Sequence, residues 1–404
     1  PPPAAASPSP DANAPATAAG PTWYRAVIRA PDGVEVAFFL GAPAAGAPGP
    51  ATFKVGGHEV RSDATFDGKT LRIPLTVHQT AVEATVAEDG TLRGTFSTTW
   101  RAWGSSSIPL TATPVAAPTP EALATVPLEG PHVELGEPRT VWTVKMKESG
   151  TAKLVLQQRA PGDFEGMLYL DTGNINYVAG NARGDTLVLT GFDGTSGYRL
   201  DLVLAPDRKR ASGAFIGGHK LDWREPLTAT RGADFELAVT TKATRRGARI
   251  GLPPLPELAA LEPGPLVVEL AGSWCSTCRN AAPFLVELDR EYRPRGLRMV
   301  TLLYEFTDDP AVDAKQVEAF KATYGVTWPV VAVAGSIEDL PDILPTGLAG
   351  VNPAGFPITL FLAADRSLSA IHTGFPAATA TAEHARVTAA FRANIEKLLA
   401  PPKR

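Results

Sequence analysis

The chain has 404 residues, of which 44% are hydrophobic and 20% are charged, a balance typical of a globular protein with two or three domains. A formal net charge of -4 supplies no basic surplus, so binding to nucleic acid or to an anionic membrane surface is disfavoured. No apolar run approaches the roughly 18 residues that a membrane-spanning helix needs.

Residues 1–20, PPPAAASPSPDANAPATAAG, contain no side chain large enough to anchor a core. This composition predicts a disordered Pro/Ala-rich tether. The chain begins with Pro and shows no leader, which is expected of a mature exported form. Such tethers also follow the acylated cysteine of bacterial lipoproteins, so a lipid anchor just upstream and a simple exported tail both stay open.

The region from Trp23 to about residue 232 consists of short alternating segments separated by turn signals. In residues 81–96, AVEATVAEDGTLRGTF, alternate apolar side chains precede an Asp-Gly turn and a second alternating segment. Further Asp-Gly pairs stand at 32–33, 67–68 and 193–194. The pattern predicts antiparallel all-β structure.

This β region also repeats itself. Two segments return with an offset of about 117 residues: IPLTATP at 108–114 returns as EPLTATR at 225–231, and KTLRIPL at 69–75 returns as DTLVLTG at 185–191. We therefore predict two duplicated antiparallel all-β domains, 21–117 and 138–235, joined by a linker at 118–137. Each has room for about eight strands, and the pattern does not distinguish a meander barrel from a sandwich.

Aromatic and imidazole side chains of the β region give weaker signals. Tryptophans could stack on a ligand, although tryptophan in strands is more often part of a core; they are Trp23, Trp100, Trp103, Trp142 and Trp223. Histidines without metal-ligand spacing are interpreted as structural or surface residues; they are His58, His78, His132, His219, His372 and His384.

Both cysteines lie three positions apart in residues 266–285, LVVELAGSWCSTCRNAAPFL. The apolar run at 265–272 predicts a buried strand that leads directly into a helix. Cys275 and Cys278 open this helix, where free backbone N–H groups and the helix dipole favour a thiolate. We therefore predict that Cys275 is the nucleophile and that Cys278 resolves the mixed disulfide.

Other chemistry fits the cysteine pair less well. Zinc would need two further Cys or His ligands at suitable spacing, and no other cysteine exists. A structural disulfide would close a very short loop and contribute little stability. A peroxidase would carry Thr three positions before its reactive cysteine, where this chain has Gly272. We expect neither a bound metal nor a cofactor.

Further residues accompany the motif WCSTC at 274–278: Pro283, the Phe356-Pro357 pair and Gly374. With them, residues 263–399 resemble the thioredoxin-fold domain of TlpA/ResA-like extracytoplasmic thiol-disulfide oxidoreductases. The β repeats resemble N-terminal regions of some long members. The expected fold is therefore multidomain, with two all-β domains, a linker at 236–262 and an α/β thioredoxin-fold domain.

The resemblance implies roles for individual residues. Cys275 would be the attacking thiol, Cys278 the resolving thiol and Trp274 the aromatic flank. Pro357 would follow a cis peptide bond, leaving the backbone of Phe356 beside the sulfurs to pair with a substrate strand. The alternative for Pro357 is a trans proline in an edge strand.

Two features depart from the usual family pattern. Ile358 follows the proline where the family usually has Thr, and Ser276-Thr277 is not the common pair between the cysteines. The residues between the cysteines tune the redox potential. Since this pair is not the common one, it does not indicate whether the chain is a reductase or an oxidase.

Glu269 lies six residues before Cys275 in the predicted strand, where thioredoxins place a buried acid and many TlpA-like proteins place Asn. Burying an ionisable group is unfavourable unless it has a partner or a function. We predict that Glu269 accepts a proton from Cys278. The alternative is a glutamate that reaches a neighbouring Arg or solvent.

The sequence thus favours an exported, lipid-tethered reductase of the periplasm or cell envelope. A membrane thiol-electron donor would supply electrons to this chain, which would pass them to disulfides of periplasmic client proteins. One alternative is a redox-sensing or scaffold binding protein whose β repeats carry the function. Another is a disulfide oxidase or isomerase, which differs in its reduction potential.

Overall fold

The structure is a computed structural model that describes residues 21–46, 48–99, 104–119, 122–173, 175–237, 246–335, 339–348 and 355–400. The predicted tether at 1–20, Trp100, Trp103 and part of the linker at 236–262 lie outside the described residues.

The first eight strands form a closed barrel in which each strand pairs antiparallel with the next and the eighth returns to the first. Their bounds are β1 (Thr22–Arg29), β2 (Glu35–Ala42), β3 (Gly49–Val55), β4 (His58–Phe66), β5 (Thr70–Leu75), β6 (Thr80–Val86), β7 (Leu92–Thr98) and β8 (Ser106–Val115). In β5 and β8 buried and exposed side chains alternate, because one face of each strand points into the barrel. β2 is buried along almost its whole length, since its outer face contacts the second barrel.

The next eight strands form a second closed barrel. Their bounds are β9 (Arg139–Met146), β10 (Thr151–Ala160), β11 (Asp163–Leu170), β12 (Ile175–Arg183), β13 (Thr186–Phe192), β14 (Gly197–Leu204), β15 (Arg210–Gly217) and β16 (Trp223–Gly232). Both units are meander barrels rather than sandwiches. The similar segments occupy equivalent places, since β5 and β13 are the fifth strands and β8 and β16 the eighth.

The two barrels share a core. Phe192, at the end of β13, stacks on Phe38 of the first barrel with the ring centroids 4.0 Å apart. It also meets Phe53 and Phe96 edge-on, at 5.4 and 5.1 Å. Residues 193–196, here called the Asp193 turn, follow directly and join β13 to β14. The second barrel therefore inserts a side chain into the core of the first.

The C-terminal region contains a five-stranded mixed sheet in the order β19-β18-β17-β20-β21. Its strands are β17 (Leu266–Ala271), β18 (Arg298–Leu303), β19 (Val330–Ala332), β20 (Ile358–Leu362) and β21 (Leu368–Thr373). The first three are parallel, and β20 and β21 are antiparallel to their neighbours.

Five helices accompany this sheet in the described residues, three of them between strands and one at each end: α1 (Pro256–Ala259), α2 (Ser276–Tyr292), α3 (Pro310–Tyr324), α4 (Leu340–Ile343) and α5 (Thr381–Leu399). Phe284 of α2, Phe320 of α3 and Phe391 of α5 join one hydrophobic cluster with the sheet. Among the described residues, no helix is both long and apolar enough to cross a membrane.

The first barrel also contacts this C-terminal region through the short turn Thr76–His78. Val77 belongs to the hydrophobic cluster of the C-terminal sheet. The His78 ring nitrogen Nδ1 lies 2.8 Å from the carbonyl oxygen of Ser273, just before the cysteine pair. All three cores are therefore joined by inserted side chains.

Candidate active site

Cys275 and Cys278 form a disulfide at the start of α2, with their Cα atoms 5.3 Å apart. Cys275 is the N-cap residue, with an extended backbone, and its Sγ accepts a hydrogen bond from the Cys278 amide at 3.2 Å. This amide and the positive end of the helix dipole would stabilise a thiolate at Cys275 once the disulfide is reduced.

Trp274 is held in a fixed position beside the disulfide. Its indole N–H donates to the carbonyl oxygen of Tyr304 at 2.8 Å, and its ring stacks on Phe356 with centroids 6.1 Å apart. The indole lies over Gly272, where an added Cβ would come within 2.4 Å of the ring. Gly272 therefore permits the close approach of Trp274.

The Phe356-Pro357 loop lies on the other side of Cys275. The peptide bond between Phe356 and Pro357 is cis, and the carbonyl oxygen of Phe356 is 3.3 Å from the Sγ of Cys275. In the dithiol state the Cys275 thiol could donate to this oxygen. The structure thus brings the Trp274-Cys275 pair beside the Phe356-Pro357 pair, although Cys275 and Phe356 are 81 positions apart in the sequence.

Glu269 occupies the middle of β17, and only 1% of its surface is exposed. Its Oε2 accepts a hydrogen bond from the Thr301 hydroxyl at 2.9 Å, and Thr301 accepts one from the Trp328 indole at 2.9 Å. Its Oε1 has no hydrogen-bond partner among the described residues. Burial raises the pKa of Glu269 to about 7, although the Thr301 hydrogen bond opposes this rise. Glu269 can therefore exchange a proton near neutral pH.

Glu305 is a second buried acid at the site, which the sequence reading missed. Its Oε1 accepts from the backbone N–H of Ser273 at 2.8 Å, and its Oε2 accepts from the Ser273 hydroxyl at 2.7 Å and from Gln79 of the first barrel at 3.0 Å. Burial raises its pKa to about 7. One signal was available, because Ser273 and Glu305 follow the parallel neighbours β17 and β18, whose carboxyl ends meet at one edge.

Two turns of the second barrel lie against segments that flank the disulfide. The Asp193 turn contacts α2, where Arg279 Nη1 donates to the carbonyl oxygen of Asp193 at 2.8 Å. Residues 171–173, here called the Thr172 turn, lie against the cis-proline loop: a Cβ added to Gly355 would be 2.0 Å from the carbonyl oxygen of Thr172. Only 7% of Cys275 and none of Cys278 is exposed.

Comparisons with known proteins match solved structures to part of the chain only. The sequence matches no protein-family model and no curated protein. A thiol:disulfide interchange protein of the thioredoxin family from Chlorobium tepidum is 17% identical, with 39% of this chain and 98% of that one covered and a TM-score of 0.29.

Two further solved structures are similar. A secreted disulfide oxidoreductase from Mycobacterium tuberculosis is 19% identical, with 33% of this chain and 85% of that one covered and a TM-score of 0.23. StoA from Bacillus subtilis is 14% identical, with 31% and 86% covered and a TM-score of 0.23. At these values the chemistry of this chain has to be inferred from its own residues.

The other residues singled out from the sequence lie away from the sulfurs or support the fold. Trp142 is buried in the second barrel, and Trp223 is 40% exposed on β16. His372 packs edge-on against Phe391. Among the described residues no three His, Cys, Asp or Glu side chains gather as metal ligands. His78, interpreted as a structural or surface residue, lies at the junction between the first barrel and the cysteine motif.

Proposed function

We propose that this chain is an extracytoplasmic thiol-disulfide oxidoreductase, similar to the TlpA/ResA-like family, that reduces disulfides of client proteins. The observation that carries the proposal is the Cys275–Cys278 disulfide at the start of α2, because a dithiol in this position can exchange with another disulfide. The cis-proline loop beside Cys275 and the buried Glu269 behind the motif support it.

The reaction would begin with the reduced dithiol. The Cys275 thiolate attacks one sulfur of a client disulfide, a mixed disulfide forms, and the other client sulfur leaves as a thiolate that takes a proton. Cys278 then gives its proton to Glu269 and attacks the Sγ of Cys275. The client's second sulfur leaves, and the Cys275–Cys278 disulfide returns. Two electrons pass to the client, whose cysteines are both reduced.

The proposal also gives a role to each of the remaining parts of the chain. Residues 263–399 would be a thioredoxin-fold catalytic domain, and the β domains at 21–117 and 138–235 would position or recruit the partner. Residues 1–20 would tether the protein in the periplasm or cell envelope, with a possible lipid anchor upstream. A membrane thiol protein would return electrons to the dithiol, and no bound cofactor would be needed.

One observation favours a second candidate function. Because Cys278 is fully buried and Cys275 nearly so, the pair could serve as a redox sensor or a structural element of a binding protein whose barrels carry the function. Insulin reduction distinguishes the two functions. An oxidoreductase turns over many equivalents with dithiothreitol as electron donor, whereas a sensor shows almost no turnover.

Trapping of clients tests the assignment of the two sulfurs. Cys278→Ser keeps the attacking thiol and removes the resolving one, so it should accumulate mixed disulfides that are visible on a non-reducing gel. Cys275→Ser is the matched control and should accumulate none. Equal trapping by both variants would contradict the assignment.

A further inference from the structure

Arg279 is the first residue after the cysteine pair, and it lies in the first turn of α2. Its backbone N–H donates to the carbonyl oxygen of Cys275 at 3.3 Å. Its side chain is only 13% exposed, so its positive charge is largely shielded from solvent beside the first turn of this helix. A cation in this place favours a thiolate over a thiol.

The second barrel supplies a carboxylate opposite this cation. Asp193 Oδ2 lies 3.6 Å from Arg279 Nη2, and the side chain of Asp193 is 8% exposed. Asp193 also makes a hydrogen bond with the side chain of Ser276, which stands between the two cysteines. One carboxylate thus contacts both the residue after Cys275 and the residue after Cys278.

The Asp193 carboxylate is held in its ionised form. Its Oδ1 accepts from the backbone N–H groups of Thr195 at 2.8 Å and Ser196 at 3.0 Å. Burial pushes the pKa of Asp193 upward, but Arg279 and these N–H groups outweigh burial and keep that pKa below its usual value.

Two histidines of the first barrel face the same ion pair. Burial, and to a smaller extent the Arg279 cation, lower the pKa of His58 to about 4 and that of His78 to about 3, while Asp193 partly opposes this shift. Both rings are therefore neutral at neutral pH. Of these three side chains, only Asp193 carries a charge that balances the positive charge of Arg279.

Two tyrosines and two further charged residues also lie near the ion pair. Tyr198 of β14 and Tyr324 of α3 have pKa values raised by burial, so both are neutral. Arg61 and Asp63 of β4 line the cleft of about 560 Å³ into which Arg279 also faces. This pair carries opposite charges and adds no net charge.

We propose that Asp193 is a positioning residue for the redox couple, through which docking of the second barrel makes the Cys275–Cys278 disulfide harder to reduce. Its carboxylate balances the positive charge of Arg279. The thiolate of Cys275 is therefore stabilised less than it would be by the dipole of α2 and the Arg279 cation without Asp193. A less stabilised reduced form means a more reducing couple. This inference rests on the proposed function and favours its reductase direction.

Asp193→Asn in the full chain tests the inference. The substitution keeps the shape of the turn and removes one negative charge beside the motif. The pKa of Cys275, followed by the ultraviolet absorbance of its thiolate, should fall by about one unit. The equilibrium in which two glutathione molecules reduce the disulfide to the dithiol should shift toward the dithiol roughly three- to tenfold.

Asp207→Asn is the matched control. Asp207 sits in another hairpin turn of the same barrel, where its Oδ1 accepts from the N–H groups of Lys209 and Arg210, as Asp193 does from Thr195 and Ser196. This variant should titrate and equilibrate like the wild type. Identical behaviour of the Asp193 and Asp207 variants would overturn the inference.

Arg279→Met separates charge from loosened docking. Removing the cation should raise the pKa of Cys275 and shift the glutathione equilibrium away from the dithiol, opposite to Asp193→Asn. A shift of both variants in the same direction would show that docking alone matters and would overturn the inference. A wild-type disulfide that does not equilibrate with glutathione at all would overturn the proposed function as well.

Discussion

At the residue scale, Glu269 is the group whose chemistry can be tested most directly. One of its oxygens is hydrogen-bonded to Thr301, and the other is buried without a partner among the described residues. Ionising such a carboxyl group costs free energy, because within the described ranges no cation or second donor compensates the lost hydration. Its pKa near 7 is the direct result, and it suits a proton acceptor that works at neutral pH.

We expect Glu269→Gln to slow the resolution of the mixed disulfide roughly tenfold to hundredfold, because the proton acceptor is lost. The rate should also lose its dependence on pH around neutrality. Stopped-flow reduction across a range of pH measures both effects. Glu257→Gln, at an exposed position of α1, is the control. A wild-type profile in the Glu269 variant would leave Glu269 a structural residue.

The same substitution should change how stability depends on pH. The pKa of Glu269 is higher in the folded than in the unfolded chain, so the folded state binds the proton more tightly. The contribution of this proton binding to the unfolding free energy is fully present below the pKa of Glu269 in the unfolded chain. It is lost as pH rises through about 7, the pKa in the folded chain. The unfolding free energy of Glu269→Gln minus that of the wild type should therefore increase by about 3 kcal/mol between acidic and mildly alkaline pH. Urea unfolding at several pH values measures this gain, and a constant difference would contradict it.

Sequence and structure agree best for residues whose environment is local. The placement of Cys275, Cys278 and Glu269 follows from one strand and one helix that are adjacent in the chain. Glu305 and Asp193 were not assigned to the site, because their contacts with the motif depend on how other strands and another domain pack. The pattern of residues within a short stretch of sequence does not predict such packing.

At the element scale, alternation predicted strands and Asp-Gly pairs predicted turns, but neither decided between barrel and sandwich. That choice depends on whether β8 pairs with β1 and β16 with β9. Closing a barrel pairs the first and last strands of a domain. Apolar and polar side chains alternate along each strand in the same way whether or not the sheet closes. The Thr172 turn was likewise beyond prediction, since its importance comes from the loop that it covers.

We expect Gly355→Ala to expose Cys275. The new Cβ would meet the carbonyl oxygen of Thr172, so the Thr172 turn must move away from the cis-proline loop. The backbone of Gly355 does not have a positive φ, so alanine adds no conformational strain of its own. Alkylation of reduced Cys275 by a bulky maleimide should become several times faster.

Gly232→Ala is the matched control for this experiment. Nothing lies within 4 Å of a Cβ added there, at the end of β16, so the alkylation rate should stay at the wild-type value. An unchanged rate in the Gly355 variant would show that the Thr172 turn does not limit access to the sulfur.

At the scale of the whole molecule, the domains expected from the sequence have separate sheets but linked cores. Phe192 of the second barrel lies in the core of the first, and Val77 of the first barrel lies in the core of the C-terminal region. Sequence repeats indicate where a domain starts and ends, but they do not reveal such exchanges. The barrels and the C-terminal region are therefore linked through their cores.

We expect Phe192→Ala to lower the unfolding free energy by about 3–5 kcal/mol, because it leaves a cavity among Phe38, Phe53 and Phe96. It should also loosen the Asp193 turn and speed the alkylation of Cys275. Phe164→Ala is the control, since Phe164 is equally buried but packs in the second barrel's own core. A similar loss of stability without faster alkylation is expected there. Equal alkylation rates in the two variants would contradict a link through Phe192.

The insertion of Phe192 also sets an order for folding on the ribosome. The first barrel has all eight of its strands once Val115 has emerged, yet its core lacks a ring that the fifth strand of the second barrel brings later. During this interval the nascent first barrel exposes apolar surface that the finished protein hides. Pausing translation between the two barrels would lengthen this exposure, and the partly made chain would then be most prone to aggregate.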